Sequence, residues 1–398
     1  EQGLSWAAAL PVGYRLVTGH DHAAPVFAFG APLLLAAAWR LAGEDGLYAL
    51  TPLLGALSLV VTFILARRLL AGVAHPSRRV IAVLAVVLLA TAPKQIALVI
   101  VPMSDVPAQL ASALALMLAL VVEGKRPWPA RLICLGSGLA LGLAYLIRHS
   151  ALLMAIPLVW LIWTQPATGL RWRPFEGLAW LAAGLGLMMA PDLVYRSIHL
   201  EHLAAVESPE SAVWGWQYLL PNALGMASDL LSWRGFGPLV ALAAPGVIVL
   251  WRWAGRRATV TLLLWLTAFA LFHLPLALTG VFENTLRYLI PAYPALVIFI
   301  AAGCAGLIVR ATPPLQALCL RLAWLQSAPV LPGDRHSAWL RGLVWAGALV
   351  LLAGGLAFAA RAVVKPPDPQ YTYGWMGVTA RADIGRLAGF LPSDAVIG

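Results

Sequence analysis

Apolar runs and short polar breaks alternate along almost the whole chain, and the length of each run predicts what it does. A membrane-crossing helix needs about 20 apolar residues, and Tyr48 to Leu70, Val80 to Val101, Gly177 to Tyr195, Ala258 to Thr279, Tyr288 to Val309 and Leu343 to Val364 approach or exceed that length. Val106 to Val122, Leu132 to Ile147, Ala151 to Trp163 and Pro238 to Trp253 are shorter and read as further crossings, which gives about ten spans. Ala31 to Ala42 is too short to cross and predicts a helix lying in the interface, anchored by Trp39 and Arg40. The segment from Arg196 to Gly235 mixes acids with several Trp and predicts an outside loop carrying an amphipathic surface helix. The fold class expected is therefore all-α, polytopic and integral to a membrane.

Composition strengthens that picture. The chain is 61% hydrophobic, 11% charged and contains 17 Trp, whereas a soluble domain is about a quarter charged. Its net charge of +10 is explained by loop orientation, so nucleic acid is not an expected partner. Arg67, Arg68, Arg78, Arg79, Lys125, Arg126, Arg131, Arg171, Arg173, Arg252, Arg256 and Arg257 fall on one side of the predicted topology, with only Glu123, Glu176 and Asp334 of the 17 acids. Basic residues mark the cytoplasmic side. The acid-rich loops then face outward, and no Gly-rich phosphate loop ending in Lys-Ser or Lys-Thr occurs. The three cysteines have no metal or disulfide spacing.

Candidate chemistry gathers at the outward breaks. Asp105 lies in the hinge Ile100 to Pro107, where Val106-Pro107 also suits a helix start, so it is read either as a helix-capping carboxylate or as a site residue. Lys94 and Gln95 end the preceding run at the same face. Arg148-His149 interrupts Leu132 to Trp163, which puts Arg148 at or just below the surface, facing an anion or paired with Asp192. Glu283 to Tyr288 places Arg287 and Tyr288 at the start of a span. His20, Asp21 and His22 stand together in the first loop, where a solvated loop is favoured over a metal site.

Four segments in this order, Leu53 to Leu57 through Leu65 to Leu69, Met103-Ser104-Asp105-Val106-Pro107, Gly142 to Arg148, and Arg287 to Ala295, resemble the polyprenol-phosphate-sugar-dependent membrane glycosyltransferases of the GT-C class, particularly the protein mannosyltransferase and aminoarabinose transferase-like branch. The resemblance implies a helical bundle with a cavity at the outer face, where a sugar passes with inversion from a polyprenyl phosphate to a lipid, glycan or protein acceptor. It implies catalytic carboxylates at Asp105 and Asp21, donor-phosphate contacts from Lys94, Arg148, Arg287 and Tyr288, and cavity or acceptor contacts from His20, His22, His149 and Glu283. The family's first-loop acidic pair is absent, and its His-Pro-Pro-like stretch is reduced to His22-Ala23-Ala24-Pro25, so the principal base is expected upstream of Glu1, with truncation at both ends.

The expected organisation is a first outside loop with its interfacial helix over 1–47, a bundle over 48–364 with an outside loop at 196–235, and the start of an outside C-terminal domain over 365–398. No obligatory cofactor or metal ligand set is expected, although a divalent metal stays open. The expected location is a bacterial inner membrane with the active side periplasmic or extracellular. The competing readings are a transporter of a small anionic or lipid-linked substrate and a non-catalytic lipid-binding homologue. The lack of an internal repeat weighs against transport.

Overall fold

The computed structural model describes residues 14–16, 23–25, 28–73, 75–123, 127–165, 174–199, 215–232, 235–276 and 285–325. The bundle is helical, apart from a short antiparallel pair, β1 (Tyr14–Leu16) and β2 (Ala23–Pro25). Its helices are α1 (Gly30–Leu69), α2 (His75–Thr91), α3 (Pro93–Val99), α4 (Asp105–Val121), α5 (Pro127–Ile147), α6 (Ala155–Trp163), α7 (Pro174–His199), α8 (Leu219–Leu231), α9 (Ala243–Trp253), α10 (Arg256–His273) and α11 (Tyr293–Leu325). Short 3-10 helices at His149–Met154, Gly237–Leu242 and Thr285–Ala292 lead into α6, α9 and α11.

Local chemistry explains the breaks. Within α1 the helical path is lost at Ala42 and Gly43, where Gly43 takes φ 61°, a conformation that costs glycine little. The chain turns so tightly there that a side chain on Gly46 would collide with the Ala38 carbonyl. The short apolar run and the first long one are thus two helical pieces joined at a corner. Pro93 bends α2 from α3 by 62°, because it has no N–H to continue the ladder. Arg148 is extended, with φ −154° and ψ 114°, and separates α5 from the following 3-10 helix.

Among the described residues, four helices are long and apolar enough to cross a membrane, or five if the bent α2–α3 pair is one span. The ten expected from run lengths are not reproduced as such. The runs at 105–121, 149–163 and 237–253 form apolar helices shorter than a full crossing, and Leu343 to Val364 lies outside the described residues. The loop expected from Arg196 also starts later, since α7 continues to His199. The protein is a multi-pass membrane protein.

The axis of the bundle is the first half of α11 and the 3-10 helix before it, where residues from Leu286 to Ala305 are almost all buried. A helix apolar on every side is a core helix. Lipid offers no hydrophobic drive for helix association, so small residues that let backbones approach become important. Gly246 on α9 meets the Phe299 carbonyl of α11, and Gly303 meets that of Leu242. On α5, Gly138 meets the Leu181 carbonyl of α7 and Gly142 meets Met188, while Gly184 of α7 meets the Leu135 carbonyl.

Gly246→Leu or Gly138→Leu is expected to cost at least the roughly 1–3 kcal/mol typical of overpacking, read as a lowered thermal unfolding midpoint in detergent. Gly186→Ala, at a position with nothing within 4 Å of the added carbon, is expected to leave the midpoint unchanged or raise it, because alanine is the better helix former.

Candidate functional site

Five elements bring their ends together at one end of the bundle: the start of α4, the end of α5, the end of α7, the end of α10 and the start of the Thr285–Ala292 3-10 helix. Asp105 is the first residue of α4 and fully buried. Of its two expected roles, capping is not the one observed. Its Oδ1 accepts a hydrogen bond from Arg148 Nη1, and its Oδ2 accepts one from Arg287 Nε at 3.0 Å, with Oδ1 3.3 Å from that same Nε. A carboxylate in this position also complements the positive end of the α4 dipole.

Arg148 is aimed inward because its extended backbone turns the chain between two helical pieces. Its Nε donates to Ser150 Oγ at 3.1 Å, and its guanidinium carbon lies 5.4 Å from the centroid of the Tyr288 ring, within the range of a cation–π contact. Tyr288 in turn lies against His273, with centroids 4.8 Å apart. Buried His273 donates from Nδ1 to the Phe269 carbonyl at 2.7 Å, since that carbonyl only accepts. Arg148 keeps 12% of its side chain exposed and Arg287 26%, against none for Asp105. The two guanidiniums therefore retain some access.

A second ionic group adjoins the first through the Arg148-His149 peptide. Tyr145 donates to Asp192 Oδ2 at 2.7 Å, Arg196 Nε donates to the same oxygen at 2.8 Å, and Arg196 Nη2 lies 2.9 Å from His149 Nε2. Of the two readings of Arg148, the pairing with Asp192 is not the one observed. Arg196, one turn along the same helix, occupies Asp192, and Arg148 turns to Asp105. His149 belongs to this second group and rests on the Tyr145 ring, 4.9 Å between centroids.

Below Asp105 lies a polar network without formal charge. Gln109 Nε2 donates to the Ile290 carbonyl at 2.9 Å and to Gln95 Oε1 at 3.1 Å, and Gln95 Nε2 donates to Gln109 Oε1 at 2.9 Å. Ser58 Oγ lies 3.2 Å from Gln109 Oε1 and 2.8 Å from the Gly55 carbonyl, so its one proton serves either acceptor. Lys94 stands beside Gln95 in the first turn of α3, which packs against α4 and the Thr285–Ala292 helix.

The structure thus brings Asp105, Arg148, Arg287 and Tyr288 together and places His149 next to them. Asp21, His20, His22 and Glu283 lie outside the described residues. Sequence reasoning passed over His273, Tyr145 and Gln109 and gave Asp192 and Arg196 other roles. Each nevertheless interrupts or ends an apolar run, which is a signal in itself, because a polar side chain at membrane depth must face a partner. Among the described residues no three His, Cys, Asp or Glu side chains form a group able to hold a metal.

No family model matches the chain, and no curated protein matches its sequence. Solved structures do. ArnT from Cupriavidus metallidurans bound to undecaprenyl phosphate superposes with a TM-score of 0.53 at 18% identity, covering 85% of this chain and 64% of ArnT. The apo form of the same protein gives 0.51 at 19% identity over 84% and 61%. The apo Archaeoglobus fulgidus oligosaccharyltransferase gives 0.49 at 14%, covering 91% of this chain and 50% of that one. The chain spans just under two thirds of the length of ArnT and shares its fold.

Removing one member of the second ionic group tests its buried character. Arg196→Met is expected to destabilise by about 3–5 kcal/mol, because it leaves a buried carboxylate without its cation. Tyr145→Phe, which deletes one hydrogen bond to that carboxylate, should cost about 1.5–3 kcal/mol, both read by thermal unfolding in detergent.

Proposed function

We propose that this chain carries the catalytic membrane domain of a glycosyltransferase that moves a sugar from a polyprenyl phosphate to a lipid, glycan or protein acceptor at the outer membrane face, with inversion at the anomeric carbon. The observation that carries the reading is the pair Arg148 and Arg287 held on one buried carboxylate at a single end of the bundle. Both guanidiniums keep some access beside that carboxylate, and guanidinium is suited to phosphate oxygens. ArnT, which shares the fold, was solved with undecaprenyl phosphate.

In this reading the phosphate of the donor docks against Arg148 and Arg287, with Tyr288 beneath Arg148 and Lys94 nearby on α3. The acceptor hydroxyl oxygen forms the new bond to the anomeric carbon as the bond from that carbon to the phosphate oxygen breaks, and the phosphate leaves with the extra negative charge. Fixed cations stabilise that charge more effectively in a dry cavity than in water. A carboxylate takes the hydroxyl proton. Both Asp105 oxygens already accept guanidinium hydrogen bonds, so we assign Asp105 to holding the arginines within the catalytic centre. The proton then falls to an acid of the first loop, for which Asp21 is the candidate in this sequence. His20, His22, His149 and Glu283 are assigned to the acceptor side. The basic-loop asymmetry supports an outward-facing site in a bacterial inner membrane.

The test is transfer from radiolabelled polyprenyl-phosphate sugars by the full-length protein in membranes. Arg148→Ala and Arg287→Ala are each expected to lower turnover by about 10²-fold or more, and Asp105→Asn to do the same by releasing both arginines, while the variants stay folded in detergent. Unchanged turnover in all three would remove the site from the reaction. Wild-type membranes that move a labelled anionic lipid without transferring sugar would replace the enzyme reading with transport.

A further inference from the structure

The Gln95–Gln109 amide pair has no part in the chemistry above, yet both side chains are buried, where an unmet amide is costly. We infer that Gln109 is the positioning residue of the phosphate site: its amide fixes the Thr285–Ala292 3-10 helix, and with it Arg287 and Tyr288, against the end of α4 that carries Asp105. The inference rests on the proposed role of Arg287 and deepens it.

Three observations converge. Gln109 lies one helical turn after Asp105 on α4, so the two side chains share a face. Asp105 holds the Arg287 side chain, and Gln109 holds the backbone of the same segment through the Ile290 carbonyl at 2.9 Å. The 3-10 segment is therefore tied to α4 at two heights. Second, the residue four positions after Ile290, whose N–H an α-helical turn would offer to that carbonyl, is Pro294, which has none. In a membrane protein such a carbonyl needs an internal donor, and Gln109 supplies it.

Third, the amide has no freedom to turn. An amide side chain has two donor hydrogens and an acceptor oxygen with two lone pairs. Both Gln109 hydrogens are used, on Ile290 and Gln95, and its oxygen receives Gln95 Nε2 with Ser58 Oγ beside it. A flip would set its oxygen against the Ile290 oxygen and break the reciprocal pair with Gln95. Gln95 thus locks Gln109 from α3, the helix that also presents Lys94, so α3, α4 and the 3-10 helix share one register.

The test uses Gln109→Met, which keeps the length and removes the amide, and Gln95→Met, which leaves the Gln109–Ile290 bond in place but frees Gln109 to rotate. Binding of undecaprenyl phosphate to the full-length protein in detergent micelles and the KM for the donor are measured beside the acceptor KM. Gln109→Met is expected to weaken donor binding about tenfold, equivalent to one lost hydrogen bond to a neutral group, with the acceptor KM unchanged; Gln95→Met should weaken it less. In an Arg287→Ala background, Gln109→Met should add nothing, because the residue acts through Arg287. Full additivity, or equal loss for donor and acceptor, overturns the positioning role.

A second readout needs no ligand. The coupling between Asp105→Asn and Arg287→Ala in thermal stability, taken from a double-mutant cycle, should fall by at least half when Gln109 is Met. Unchanged coupling overturns the inference even if the protein binds no polyprenyl phosphate. Intact dependence on Gln109 without any lipid binding would instead sink the glycosyltransferase reading and, with it, the phosphate site, leaving only the placement of Arg287 against Asp105 by Gln109. Should Gln109→Met fail to fold, the same cycle in Gln95→Met decides, a smaller coupling supporting the inference and an unchanged one overturning it.

Discussion

A carboxylate taken out of water has to bring its cations with it, and one end of this bundle is arranged around that constraint at Asp105. Breaking a buried ion pair by deleting one partner costs about 3–5 kcal/mol, so no arrangement that buries Asp105 alone is competitive. Its partners arrive from distant points in the chain, Arg148 after α5 and Arg287 before α11. Satisfying one side chain therefore fixes the relative heights of three elements. The break at Arg148 follows from the same need, because a continuous helix through 148 would carry the guanidinium along its own axis instead of across to α4.

The rest of the bundle is set by close approach. The α5 and α7 helices run parallel, with Gly138 against the Leu181 carbonyl and Gly142 against Met188. Further along the same pair Tyr145 meets Asp192, and His149, just past the end of α5, meets Arg196. The second ionic group thus sits where this closely packed helix pair ends. Packing within the membrane and polar geometry at its surface are linked through a rigid helix pair, and a shift in one displaces the other.

Much of this was legible in the pattern of apolar runs. The membrane class, the corner between the short run ending near Ala42 and the span after it, and the interruption at Arg148 all follow from where polarity interrupts hydrophobicity. What run length does not report is partnership. Arg148 is equally compatible with Asp105 and Asp192 on a topology diagram; the choice depends on Arg196 standing one turn after Asp192, which only a helix continuing to His199 reveals. Pro93 was also read through as part of a single span, although its missing N–H is what makes α3 a separate short helix. The pairing of Gln95 with Gln109 joins two separate apolar runs that carry one amide each, and nothing in either run names the other as partner.

Burial divides labour between the two arginines. Arg148 is enclosed by Asp105, Ser150 and the Tyr288 ring, and its backbone is held by Arg148 N–H to the Ala144 carbonyl at 2.8 Å and Ala151 N–H to its own carbonyl at 2.8 Å. Arg287 meets Asp105 through Nε and keeps about twice the exposure. Arg287 is therefore the more accessible of the two cations and Arg148 the more enclosed. Without Asp105 the two guanidiniums would repel each other, so the shared carboxylate is what lets them stand this close.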